Sequence, residues 1–546
     1  MKKYLFFAAA AMVFAACAEK GFDSHKPAEK GEMEQSYLAV SLMSDDMTTR
    51  AAGDVYEEGD PSERFVNTFH FFLFDEKGDP FIIDGDTNYK PFEIKENEND
   101  FGTNNPGNEE GEGNEEGEGD TPEGDEWPNV SDIKDKVLVF ENYKGEYPAK
   151  IVAVLNWTPS NANPLTLDEL AEEISDLRNG GGAFVMSNSV YALDGAKKEA
   201  IKATALTPEN IAKSEEDALN NPVHVFVERI AAKVTVSATQ PKFDTGKEIA
   251  GKKIYATVDG WDLYNDYDQS YLLKHIDENW TSAELGFNWN DASWFRSYWA
   301  KSLNTPFVDA ENQISYDGMP YLLDESAYCG ENTGNADCTM VVVKASLVDE
   351  NGNAVEVATW HGHSYLGESS LLQVIANSLA SRLYYFDGTK YNSIEPGHLM
   401  VKEASEPNPD SSADVKAYHV FFQLSAAGEG MTWYTYSTAD GFKAADKNAV
   451  NVILGGVEPA LLYKNGQTYF ATEIKHYETV LGEKKYGVVR NHVYKVNINS
   501  ISGFGTPVYN GNTKFDPEQP SDVTTFVSAE IRVLSWKVVE FDYDLK

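Results

Sequence analysis

Three cysteines are the most reactive side chains in the sequence, and the surroundings of Cys17 specify a reaction. A basic start, Met1-Lys2-Lys3, is followed by a short apolar run from Tyr4 to Ala16, and Phe14-Ala15-Ala16-Cys17 ends it. Small residues before a cysteine at the end of such a leader form a lipobox: the thiol is acylated, the leader is cut away, and Cys17 becomes the lipidated N-terminus. Phe14 stands where Leu is commoner. The alternative is an ordinary secretory leader with an incidental cysteine. Both imply export, and no other segment is long and apolar enough to span a membrane. The remaining pair, Cys329 and Cys338, flanks the polar loop from Gly330 to Asp337. In an oxidising compartment they can form a disulfide or stay as two thiols.

A second candidate for chemistry is a peptide bond. Ser44-Asp45-Asp46-Met47-Thr48-Thr49-Arg50-Ala51-Ala52-Gly53 holds the only basic residue between Lys30 and Arg64. Small and polar residues surround it, so a protease cleaving after Arg would find the Arg50-Ala51 bond accessible. Alone, the stretch reads better as a linker with a surface arginine. Other chemistry is poorly supported. No serine sits in a nucleophile elbow, and no glycine-rich phosphate loop precedes a helix. His361-Gly362-His363 offers two metal ligands without a third or fourth at ligand spacing. Asp84-Gly85-Asp86 reads as a turn. Glu96 to Glu126 is mostly Glu, Asp, Gly and Asn with no Lys or Arg; it reads as a disordered acidic loop and lacks the spaced ligands of an EF-hand. We expect no enzyme activity, no cofactor and no metal.

Net charge is −43 and the pI is about 4.5. That argues against nucleic-acid binding, which needs a basic surface against phosphate. With 29 Tyr and 28 Phe, the composition favours sheets. The length allows two or three domains after the leader.

Expected strands are Tyr37 to Met43, Phe65 to Phe74, Lys136 to Phe140, Lys150 to Asn156, a long Val223 to Val236, Ile254 to Tyr264, Thr339 to Leu347, Val355 to Trp360, Tyr418 to Leu424 and Val488 to Ile498. Leu165 to Leu177 and Ser369 to Leu383 read as helices. Leu461 to Phe470 reads as a hairpin turning at Asn465-Gly466. The expected fold is mainly β: two consecutive transthyretin-like or Greek-key β-sandwich domains with a few short helices. The divisions are a leader at 1–17, a segment at 18–50 that is a propeptide if the bond after Arg50 is cut, a first domain at 51–300 containing the loop 96–126, and a second at 301–546. The junction is set near the aromatic stretch from Trp280 to Trp299.

The last stretch, Val527 to Lys546, is longer than an ordinary strand. Its first half can close a sheet in its own domain. Its second half alternates Val539, Phe541, Tyr543 and Leu545 against Glu540, Asp542 and Asp544. A tail apolar on one face needs a groove that lacks a strand.

Several motifs together resemble a known family. Val225-Phe226-Val227-Glu228-Arg229-Ile230-Ala231-Ala232-Lys233-Val234 is similar to a strand of Bacteroidales fimbrillins. Ile151 to Asn156, Phe184 to Asn188 and Gly260-Trp261 fit the same pattern. Trp294 to Ala300, Tyr328 to Thr333, Tyr463 to Tyr469 and Tyr486 to Tyr494 resemble the minor-fimbria (Mfa) branch of the FimA/Mfa-like superfamily. The resemblance covers most of the chain except the acidic loop.

It implies a type V pilus subunit that serves cell adhesion. Such a subunit is exported as an outer-membrane lipoprotein precursor lipidated at Cys17, then cut at Arg50-Ala51 by a trypsin-like, Arg-specific protease. Cleavage would remove the strand carrying Leu38, Val40 and Leu42. The slot would then take Val539, Phe541, Tyr543 and Leu545 from a neighbouring copy or a sister fimbrial subunit, and the mature form would sit in an extracellular fimbria. Rival readings are a tip or anchor subunit, or a glycan-binding surface lipoprotein with Trp280, Trp289, Trp294 and Trp299 as its sugar platform.

Overall fold

The computed structural model describes residues 33–43, 60–93, 136–188, 202–275, 301–308, 314–333, 337–403, 418–478, 484–515 and 526–534. Cys17, Arg50, Ala51, the acidic stretch, the four tryptophans from 280 to 299 and the tail from residue 535 lie outside them.

The first ten strands are β1 (Met33–Met43), β2 (Thr68–Phe74), β3 (Tyr89–Glu93), β4 (Lys136–Tyr143), β5 (Lys150–Leu155), β6 (Ile174–Asp176), β7 (Met186–Asn188), β8 (Thr204–Ala205), β9 (Val223–Arg229) and β10 (Ala232–Ala238). One sheet runs β3-β2-β5-β7-β9-β1-β4, with β8 added to β5. β2 and β5 are buried along nearly their whole length, as aromatic and β-branched runs in middle strands should be. β9 belongs to two neighbours. Its first half, Val223 to Phe226, pairs parallel with β1, and its second half, Val227 to Arg229, pairs antiparallel with β7.

Helix α1 spans Leu167–Glu172 and is started by a reciprocal cap. The Glu169 amide donates to Thr166 Oγ1 at 3.1 Å, and the Thr166 amide donates to Glu169 Oε2 at 2.8 Å, which satisfies two otherwise orphaned donors. The expected continuation to Leu177 does not form. Ile174 to Asp176 instead pairs as β6 with Gln269–Tyr271, so tertiary pairing outweighs helix propensity there.

The long strand expected from Val223 to Val236 is two strands. The chain turns at Ile230 and Ala231, both fully buried, and β10 enters a different sheet. One apolar core collects residues up to Ala231 together with Leu272 and Leu273, and the next begins at Ala232. Along this stretch the chain therefore passes from one core to the next.

The second core lies between two sheets. One runs Ser326–Cys329, β10, Val493–Ser502, Phe526–Leu534. The other runs Phe243–Ile249, Lys252–Tyr264, Met340–Val348, Gln467–Glu473, Thr506–Pro507. Trp261, Tyr463, Tyr494 and Val341 fill the space between them. A third core, inserted between residues 357 and 463, packs helices Gly367–Leu379 and Lys447–Gly455 against two further sheets. The architecture is mainly β, as the composition suggests.

The Asn465-Gly466 turn has the expected backbone, with φ of 54° and 80°, but it does not close a hairpin. Ala460–Tyr463 pairs with Val357–Trp360 and His419–Leu424, whereas Gln467–Glu473 pairs with Met340–Val348. The turn carries the chain from one sheet to another. A Cβ on Gly466 would lie 2.5 Å from the Leu347 carbonyl oxygen, so the site is closed to any larger residue.

Candidate functional site

Alternation in the first strand puts Leu38 and Val40 on one side, and both are fully buried in the first core. Leu38 pairs opposite Leu138 of β4, and Val40 pairs opposite Val223 of β9. β1 is antiparallel to β4 over eight residue pairs, from Met33 opposite Tyr143 to Val40 opposite Lys136. On its other side, the Tyr37 amide donates to the Ala212 carbonyl at 3.0 Å, and the Ala212 amide donates back at 2.8 Å. From Val40 to Met43 the parallel ladder with β9 takes over; Leu42 is placed in that ladder opposite Val225.

β1 is therefore an interior strand. Among the described residues β4 has no other strand partner, so β1 alone joins it to the sheet. A cavity of about 650 Å³ opens at the Tyr143 end of β4, beside Glu146, Tyr147 and Phe81. Taking β1 away would strip two apolar residues from the core and leave ladder groups unpaired on both walls, a costly state unless another strand fills it.

The second feature is where the family-like motifs meet, which no spacing in the sequence reveals. Glu63 is 1% exposed and accepts hydrogen bonds from Lys233 Nζ and Tyr328 Oη. Asp60 adds a second carboxylate 3.4 Å from Lys233 Nζ. Arg229 Nε donates to the Glu63 carbonyl at 2.6 Å and its Nη1 to Asn491 Oδ1 at 3.2 Å. Arg490, fully buried, pairs with Glu331 and donates to the Leu272 and Tyr271 carbonyls at 3.2 and 2.7 Å. A Cβ on Gly330 would come 2.1 Å from the Gln269 carbonyl oxygen, so only glycine permits this approach. Arg229, Lys233, Tyr328, Glu331, Arg490 and Asn491 thus form a polar junction between the first two cores. Burial, then the hydrogen bond to Glu63, pushes the Tyr328 phenol upward, so it remains a donor.

Of the two forms open to the cysteines, the structure has free thiols. Cys329 is wholly buried in the second core, and Cys338 lies 3.8 Å from Glu473 Oε1. Burial holds the Cys329 thiol well above its usual range; burial and the Glu473 charge push Cys338 up to about 12. His361 and Gly362, with φ of 50° and 72°, form a two-residue turn closing the hairpin in which Trp360 pairs with His363. Among the described residues no group of His, Cys, Asp or Glu is arranged to hold a metal. Asp84 sits at a turn, φ 51°, and pairs with Lys90 at 2.5 Å.

The end of the chain matches a known family model. Residues 461–542 match the family model "Major fimbrial subunit protein type IV, Fimbrillin, C-terminal". The match runs from the strand ending at Tyr463, through Phe526–Leu534, into the tail. Over those residues the chain is similar to fimbrillins, the family its motifs resemble. Solved structures similar to the chain include a protein assigned to cell adhesion from Parabacteroides distasonis, with 13% identity, TM-score 0.34, and 91% of this chain and 96% of that one covered. Another is a fimbrial assembly protein from the same species, with 11% identity, TM-score 0.29, and coverage of 76% and 100%. A third is the tip fimbrial protein Mfa3 from Porphyromonas gingivalis with C-terminal truncation, with 9% identity, TM-score 0.24, and coverage of 90% and 99%. Scores of this size do not establish a common fold. A comparison with curated proteins returned no match.

Proposed function

We propose that the chain is a structural stalk subunit of a surface fimbria that polymerises by replacing one strand with another. The carrying observation is the interior position of β1, with Leu38, Ala39 and Val40 fully buried between β4 and β9. In this reading the precursor is anchored through Cys17 and cut at Arg50-Ala51, and β1 then leaves. Val539, Phe541, Tyr543 and Leu545 of the next copy take its place. Their spacing by two matches that of Leu38, Val40 and Leu42.

The energetics permit a durable joint. Each donor side chain gains ~1.5–3 kcal/mol on burial, and each ladder hydrogen bond adds ~0.5–1.5 kcal/mol. Association and ordering oppose this by ~4–15 kcal/mol. A head-to-tail contact that does not close on itself builds a filament. The intact precursor stays monomeric because its own strand fills the slot. A tip subunit would need no donor tail, and an anchor would need no cleavage.

Brief trypsin treatment of purified precursor, followed by N-terminal sequencing and electron microscopy, tests the reading. The expected products are an N-terminus at Ala51 and slowly growing filaments, with neither from Arg50→Ala. Filaments from uncut Arg50→Ala protein would refute it.

A further inference from the structure

The small sheet Tyr391–Ser393, Leu383–Phe386, Trp433–Ser437, Gly441–Ala445 has two dissimilar faces. Leu383 and Trp433 point into the third core. The other face carries Tyr384, Phe386, Tyr391, Tyr434, Tyr436 and Phe442. Register makes this so: Tyr384 pairs opposite Tyr434, Phe386 opposite Tyr391, and Tyr436 opposite Phe442, and residues opposite one another share a face.

The six rings form one cluster. Tyr391 and Phe442, from the two edge strands, stack at 3.8 Å and 6° across the middle strands. Tyr384 meets Phe442 at 5.0 Å, and Tyr434 meets Tyr391 at 4.9 Å, both edge to face. Despite this packing, Phe386, Tyr391, Tyr436 and Phe442 remain 36–41% exposed. The four strands contain one charged residue, Lys443, which alternation turns away from the side of Phe442. An uncharged aromatic face is unexpected on a chain of net charge −43, and an exposed patch of this kind marks an interaction surface.

We propose that this face binds a neutral oligosaccharide. Aromatic rings stack against the C–H faces of pyranose rings, and phenol hydroxyls meet sugar hydroxyls. Tyr384, Tyr391, Tyr434 and Tyr436 each supply such a hydroxyl, and none of the four donates to a protein group among the described residues. A dry protein interface would leave those hydroxyls unpaired. The acidic chain opposes an anionic lipid surface. Mutual packing already orders the rings, so binding costs little side-chain freedom. This surface is separate from the β1 slot, and either reading can fail alone. The tryptophans offered as a sugar platform by the sequence lie elsewhere in the chain.

The full chain is titrated calorimetrically with maltohexaose, cellohexaose, mannohexaose and chitohexaose. At least one is expected to saturate below about 10 mM. Tyr391→Ala and Tyr436→Ala should each weaken it about tenfold, and Tyr436→Phe by less, with far-UV circular dichroism melts unchanged. The proposal is overturned if no probe binds, or if binding survives both alanine variants. It is also overturned if sedimentation shows self-association abolished by Phe442→Asp, or if phosphatidylglycerol vesicles capture the chain through these residues.

Discussion

β1 and the strand Phe526–Leu534 come from opposite ends of the chain, and each completes a sheet built mostly from residues distant in sequence. Their positions differ. β1 lies between β4 and β9 and alone joins β4 to its sheet. Among the described residues Phe526–Leu534 lies at an edge and pairs only with Val493–Ser502 in its sheet, from Leu534 opposite Val493 to Phe526 opposite Ser502. Losing the edge strand exposes one ladder; losing the interior strand exposes two and opens the core. An interior strand donated by a chain terminus suits exchange, because the vacancy strongly favours refilling and no loop must be threaded. An edge strand suits anchorage, holding the last described stretch to its own domain.

The sharpest way to break this contrast is to delete Val539 to Lys546. The truncated chain should fold, be cut by trypsin and melt close to the parent, yet form no filaments by electron microscopy. Filaments at normal yield would remove the donor role from the tail.

The junction gives the next largest effect. Lys233→Met leaves the Glu63 carboxylate buried beside Tyr328 without its cation, and breaking such a pair costs about 3–5 kcal/mol. Urea unfolding should show that loss in precursor and processed protein alike.

Leu38→Ala distinguishes the two forms. It should destabilise the precursor by about 2–5 kcal/mol and leave filaments unchanged if the proposed exchange removes the strand. Ile498→Ala, buried in the second core, should weaken both. Equal losses from Leu38→Ala in precursor and filament would mean that β1 never departs.

The smallest effect is on the thiols. Only the thiolate reacts, and an unfolded cysteine ionises near pH ~8.5. The folded thiols are raised above that, with Cys338 at about 12. Their contribution to stability is complete below the unfolded value and fades as pH climbs from there toward the folded one. Iodoacetamide at neutral pH should label both slowly in native protein and quickly in urea.

Much of this was legible in the residues. Alternation located β1, β4, β5 and the C-terminal strand to within a few residues, because side-chain facing is a local property with a period of two. Other features looked local and were not. Asn465-Gly466 and His361-Gly362 share the same left-handed backbone. The dipeptide that resembles a hairpin turn joins two sheets, and the one within the possible ligand pair His361 and His363 closes a hairpin. Val223 to Val236 has one continuous apolar pattern but serves two cores, because both faces of its midpoint are buried whichever sheet claims them.

The chain's own order of residues determined that the protein is β-rich and acidic, that its first apolar run ends at a cysteine, and that its last residues alternate between apolar and charged. Tertiary structure alone decided that the first strand is interior, that Glu63, Lys233, Tyr328 and Arg229 converge, and that six aromatic rings gather on one uncovered face. The reason is physical: conformation and facing depend on neighbours in sequence, whereas a strand's partners, and the charges that must meet when it is buried, are chosen by contacts between segments far apart along the chain.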